Sequence, residues 1–270
     1  MNGYLPLSYL DVLLAALFLL IAATVSLLAR LGLERRLVFV SLRMVVQLAL
    51  VGLLLKALFT LASPWLTLFA ALFMLAMASR EVGARQQRPL AGIWGYGLGA
   101  TTMMTAGMLI TVCALTLQIR PDPWWAPRYA LPLFGMILGN TMNGVALALD
   151  GLHVALVRER VAVEARLLLG HTRFRAVQPV LVRALRAGFT PILNAMAATG
   201  VISLPGMMTG QILAGVDPRE AVKYQLLIMF LISGATGLGV LGAVWGSILL
   251  LTDRRDRLRL ERLAPPRERL

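Results

Sequence analysis

The sequence predicts an all-α, polytopic integral membrane bundle of about seven transmembrane helices, with the N-terminus out and the C-terminus in. Three observations carry that prediction. Charged residues make up only 14% of the 270-residue chain, where a soluble domain carries about a quarter. Apolar stretches of about 17–25 residues, the length that crosses a bilayer, recur from end to end. Arginine collects in alternate connections between them. Helices suit such a chain because each satisfies its own backbone hydrogen bonds where no water is present.

The spans are expected at 8–29, 37–59, 63–79, 91–117, 129–151, 187–204 and 222–251. The last is long enough to tilt or to extend past the membrane surface. The sixth is marginal by hydropathy, because it holds Thr190, Pro191, Asn194, Thr199 and Gly200. Loop charge tests the count. Arg30, Arg35 and Arg36 follow the first span, and Arg80, Arg85 and Arg88 follow the third. Arg158, Arg160, Arg166, Arg173, Arg175, Arg183 and Arg186 follow the fifth. Arg254, Arg255, Arg257, Arg259, Arg262, Arg267 and Arg269 fill the tail. One missed span would place later groups on opposite sides. With all seven spans they share one side, which the positive-inside rule makes cytoplasmic. The opposite side holds Lys56, Arg120, Arg128, Arg219 and Lys223.

The same rule explains the net charge of +13 without nucleic acid as a partner. One cysteine, Cys113, excludes an internal disulfide and a cysteine metal cage. The opening Met1-Asn2-Gly3-Tyr4 lacks a basic n-region, so the first apolar stretch reads as a retained helix. Trp124, Trp125 and Tyr129 in an outer loop at 118–132 form an interfacial belt, and its prolines keep that loop extended. The tail 252–270 is basic, and its 264–267 end reads as disordered.

No soluble domain is visible, so 1–270 reads as a single transmembrane domain. The longest cytoplasmic segment, about 152–186, shows helical spacing broken at Gly170. Two short surface helices are expected there. No phosphate-binding loop is present, and neither His153 nor His171 has a metal-ligand or nucleophile partner at motif spacing. The chain therefore reads as a non-enzyme.

Polar groups inside spans are the next signal, since burying them in lipid is costly. Arg43 and Gln47 are four apart and share a helix face. Arg43 either snorkels to the cytoplasmic interface or lines a pathway. Asn140, Met142 and Asn143 lie in the fifth span beside Gly135-x-x-x-Gly139, a spacing that permits close helix approach. The asparagines serve either as interhelical glue or as a pathway lining. Asn194 adds an amide to the sixth span. The run Ser203-Leu204-Pro205-Gly206-Met207-Met208-Thr209-Gly210-Gln211 breaks the helix that hydropathy alone would extend. It is either a gate at membrane depth or an external turn. Pro205, Met207, Met208 and Gln211 are its candidate substrate contacts. Carboxylates approach the spans only at Asp11 and Asp150, which argues against a proton- or sodium-coupled secondary transporter.

Glu164-Ala165-Arg166-Leu167-Leu168-Leu169-Gly170 resembles the Glu-Ala-Ala-x-x-x-Gly coupling motif of ABC importer permeases, with Arg in place of the second Ala. The motif's later Leu-Pro is absent where Val182-Arg183 stands. Leu42-Arg43-Met44-x-x-Gln47-Leu48, Gly135-Met136-x-Leu138-Gly139-Asn140-x-Met142-Asn143 and 203–215 resemble the hallmarks of the FetB-type permease family. The resemblance covers nearly the whole chain. It implies an inner-membrane ABC permease that exports iron or another metal. Two copies would pair with two separate ATPase subunits, which would hold the ATP and Mg; the chain itself would need no cofactor. Glu164, Ala165, Gly170, Arg173 and Arg175 would then couple to the ATPase. The residues form no recognisable iron site, so a chelate or an organic solute such as a nucleotide sugar stays open as the cargo.

Overall fold

A computed structural model describes residues 8–253 and 255–266, so Met1–Tyr4, Arg254, Arg267 and Arg269 lie outside the described residues. The helices are α1 (Tyr9–Leu28), α2 (Glu34–Leu61), α3 (Pro64–Ala84), α4 (Ile93–Ile119), α5 (Pro127–Arg158), α6 (Arg160–Leu168), α7 (Arg173–Ala198), α8 (Gly206–Leu213) and α9 (Pro218–Leu250). Six of them, α1 to α5 and α9, are long and apolar enough to cross a membrane. The chain is a multi-pass membrane protein.

Helix starts follow from local chemistry. Ser8 caps α1 by accepting from the Leu10 and Asp11 amides, and Asp11 Oδ2 accepts from the Ser8 amide in return. Pro64, Pro127 and Pro218 open α3, α5 and α9, where a missing N–H costs nothing. The outer loop is consequently shorter than expected: Tyr129 and Pro132 belong to α5. α4 is π-wound over Met104–Met108 and Ala114–Ile119.

The core is built by α5, α7 and α9, with α3 and α4 closing one side. α7 buries Ala176, Val180, Ala184, Gly188 and Ile192, spaced four apart along one stripe. Gly188 meets Gly144 of α5 backbone to backbone: a Cβ added at either would stand 2.9 Å from the other's carbonyl oxygen. Of the Gly135-x-x-x-Gly139 pair, only Gly135 makes a close contact within one chain, with a Cβ there standing 3.1 Å from Met74 of α3. Nothing lies within 4 Å of a Cβ at Gly139. α1 and α2 lie outside the core with most of their leucines, Phe18 and Phe39 exposed, Leu58 being a buried exception.

The arginine-rich connections gather at one end. His153 of α5 is fully buried, with Nδ1 2.9 Å from the Arg88 carbonyl oxygen and Nε2 2.7 Å from Ser247 Oγ of α9. A carbonyl only accepts, so Nδ1 carries the proton and Nε2 accepts from the serine. The Gln87 amide donates to Asp150 Oδ1 at 2.7 Å. The tail returns to the same place: Leu263 is buried and bridged to Leu90, and the Ala264 amide donates to Pro89 O. The expectation of disorder from 264 onward therefore fails at its start, because Leu263 fills an apolar gap under the 85–92 loop. The opposite end holds the α2–α3 turn and the α4–α5 loop, with Arg128 over the Phe59 ring.

The cytoplasmic segment departs from expectation. Residues 152–158 continue α5, α6 is the one short surface helix, and the second is the first half of α7. α7 runs unbroken from Arg173 to Ala198, joining the amphipathic half to the marginal span. It lies antiparallel to α9. Arg173 bonds Thr252, Phe189 packs on Gly237, and Ser233 Oγ donates to Met196 Sδ. At about 1.5 Å per residue, Ser233 stands about 26 Å from the Leu250 end of α9 and about 22 Å short of Pro218. The seventh crossing is therefore made in two pieces, α7 and then α8, joined by 199–205.

Candidate substrate pathway and coupling surface

The link at 199–205 folds on itself. The Ile202 and Ser203 amides donate to Ala198 O, and the Gly200 amide donates to Ser203 O at φ +86°. Its side chains point away from the bundle: Val201 is 90% and Ile202 83% exposed. Irregular backbone at membrane depth is tolerated only against protein or water. Within one chain nothing covers Val201 or Ile202.

The same exposed surface carries the predicted amides. Asn140 is exposed on α5 and donates only within its own helix, to Met136 O at 2.8 Å. Asn143 is exposed and accepts from Arg85 Nη1. Asn194 is exposed on α7, three helical turns beyond Arg183 and so on the same side of the helix. Arg183 reaches Glu159 at the end of α5, with 2.6 Å to both carboxylate oxygens. The open face of α5 and that side of α7 therefore border one groove. Met142 instead packs on the core. Gln47 is exposed on α2.

Arg43 has a carboxylate partner, Glu81 of α3 at 3.0 Å. Glu81 also lies 3.7 Å from Arg85, so Arg43, Glu81, Arg85 and Asn143 form one chain of polar contacts across α2, α3 and α5. The ion pair ties Arg43 and α2 to α3 beside Arg85. Sequence spacing could not have found Glu81, which lies 38 residues away.

Pro205 caps α8, Met207 is exposed, and Met208 is half-buried. Gln211 is half-buried with its Oε1 shielded and lacking a hydrogen-bond partner among the described residues. Asp11 and Asp150, the two carboxylates expected at the spans, are both engaged with backbone amides, Asp11 in its cap and Asp150 on Gln87; Glu81 is a third, because α3 extends past the expected limit at 79. Among the described residues no three His, Cys, Asp or Glu side chains gather around a metal-sized space.

The cytoplasmic surface is held on a braced frame. Glu164 pairs with Arg160 at 2.7 Å along α6, and Arg166 Nη1 donates to Ala176 O of α7 at 3.1 Å. Gly170 closes the turn at φ +86°, a conformation that favours glycine. Ahead of it Leu168 is 89% exposed and Leu169 78% exposed, with Val161 and Ala165 also open to the surface. The hydrogen bond from Arg183 holds the Glu159 carboxyl below the usual carboxylate range. Arg173, expected at the coupling surface, is turned inward instead, 2.8 Å from Asp256 of the tail; Arg175 stays exposed.

A model for the family described as "Uncharacterised protein family (UPF0014)" matches residues 9–250. A UPF0014 membrane protein of Synechocystis sp. is 38% identical over 79% of this chain and 82% of its own length. The Arabidopsis thaliana protein ALUMINUM SENSITIVE 3 is 32% identical over 82% of this chain and 79% of its own. An Escherichia coli protein named "Probable iron export permease protein FetB" is 29% identical over 91% of this chain and 92% of its own. No solved structure matches the chain.

Proposed function

The chain belongs to the UPF0014 family of membrane proteins, and from that premise we propose that it is the membrane-spanning permease subunit of an ABC-type exporter. Two copies face each other across the groove, and a separate ATPase drives them. The observation that carries this reading is the broken seventh crossing. Val201, Ile202, Asn140 and Asn194 are turned outward from the bundle; in this reading they lie within the bilayer, where amides and unwound backbone need a partner other than lipid. A second copy supplies that partner, and the groove between copies supplies the pathway.

The α6 knob supports ATP coupling. Leu168 and Leu169 extend from a helix that Arg166 and Arg183 brace against α7 and α5, so a push on the knob reaches the α5–α7 packing directly. Gly170→Pro removes both the positive φ and the amide that donates to Leu167 O at 3.0 Å. It should abolish stimulated ATP turnover of the complex while the chain still inserts; normal turnover would take the knob out of the mechanism.

The cargo is read from the relative named for iron export. Iron, free or as a chelate, is the substrate in this reading, and an organic solute is the alternative. The test is ATP turnover and vesicle loading by the chain reconstituted with its ATPase. Fe(II), with or without citrate, should raise both. No change with either form, against a response to a nucleotide sugar, would replace iron as the cargo. Loading without ATP would replace the ABC mechanism itself.

A further inference from the structure

A second cavity lies away from the groove, between the outer ends of α3, α4 and α5. It measures about 310 Å³, and its wall includes Leu68, Ala71, Met108, Leu115, Leu131 and Phe134. Thr67 and Thr111 also line it, but each hydroxyl donates within its own helix, to Ser63 O at 3.0 Å and Gly107 O at 2.7 Å. The wall therefore offers water almost nothing. It is a half-open cleft rather than a sealed void, and its volume exceeds the ~150 Å³ that admits a benzene-sized guest. Left empty, its lining forfeits dispersion contacts.

The surroundings say what fills it. Met108 and Leu115 come from the two π-wound stretches of α4, a winding that recurs at functional sites. Trp65, Trp124 and Trp125 stand at the mouth, as amphipathic rings do at headgroup level. Arg128, one turn before the wall residue Leu131, lays its guanidinium over the Phe59 ring at 5.9 Å. Stacking uses the face of a guanidinium and leaves its N–H edge open to an anion. An apolar slot with indole donors in its wall and a cation one helical turn from that wall matches a phospholipid: acyl chain, ester, phosphate.

We propose that this cavity binds one acyl chain of an outer-leaflet phospholipid, with the tryptophans and Arg128 meeting its ester and phosphate groups. The site is independent of the transport reading above.

Native mass spectrometry of the full-length chain, released from membranes into mild detergent, tests it. The wild type should retain one phospholipid per chain. Ala71→Trp, which fills the slot, should lose it while keeping the wild-type elution volume. Wild type without retained lipid, or equal retention by both, would overturn the proposal. Should Ala71→Trp fail to fold, competition on the wild type decides. Dioleoyl phosphatidylglycerol should displace the retained lipid, whereas dihexanoyl phosphatidylglycerol and inorganic phosphate should not. Equal displacement by the short-chain lipid or by phosphate would show that the headgroup, not the chain, is what the protein holds.

Discussion

Gly188→Leu is expected to abolish the folded bundle, and Gly188→Ala to weaken it visibly. A Cβ at this position would sit 2.8 Å from Ala148 Cβ, 2.9 Å from Gly144 O and 2.9 Å from Val240 Cγ1. Overpacking a core costs about 1–3 kcal/mol when side chains can shift. Here one obstacle is backbone of α5, so relief requires moving α7 away from the α5–α9 pair along its whole length. The loss approaches the entire stability of an ordinary domain, about 5–15 kcal/mol. Thermal unfolding in detergent, followed by gel filtration of the solubilised chain, measures it. The alanine variant should melt lower than wild type and the leucine variant should elute as aggregate. Wild-type melting for the leucine variant would mean that α7 does not lie against α5 as described.

His153→Ala is the second large effect. Among the described residues the imidazole is the partner of both Ser247 Oγ and the Arg88 carbonyl, and it is completely shielded. Orphaning a buried polar group costs about 1–3 kcal/mol, and two are orphaned here. A loss of about 3 kcal/mol is expected, with the 85–92 loop and the Leu263 contact loosening first because His153 holds that loop to α5 and α9. Hydrogen exchange over 85–92 and thermal unfolding report both effects. In His153→Ala/Ser247→Ala the second change should cost far less than it does alone, since its hydroxyl has already lost its partner. Additive losses would contradict the coupling.

The six long spans were legible because hydropathy is a local property; their starts lie within four residues of the expected limits, while α3 and α5 run five and seven residues further at their polar cytoplasmic ends. α7 was not legible as one helix, because Arg173 to Arg186 read as cytoplasmic surface and Thr190 to Gly200 as a weak span. Its unity lies in the stripe Ala176, Val180, Ala184, Gly188 and Ile192, a four-residue repeat of small and apolar positions that the sequence does contain. That repeat, weighed as a packing face rather than as hydropathy, was the available signal. Gly144 was passed over for Gly135 and Gly139 because a spacing motif does not say which face meets another helix. Glu81 and Ser247 became partners of Arg43 and His153 only in three dimensions, and nothing in their local sequence marks them. Arg173 illustrates the reverse case: its charge placed it correctly at the cytoplasmic end, but its use depends on Asp256 in a returning tail.

The pairing of two copies across the broken crossing is best tested by disulfide trapping in native membranes. In a Cys113→Ser background, single cysteines at Leu193, Asn194, Val201 and Ile202 are oxidised, with Leu109 on the exposed side of α4 as control. Covalent dimers are expected from at least one position of the 193–202 set and none from Leu109. Monomers at every position of that set, with dimers from the control, would contradict it.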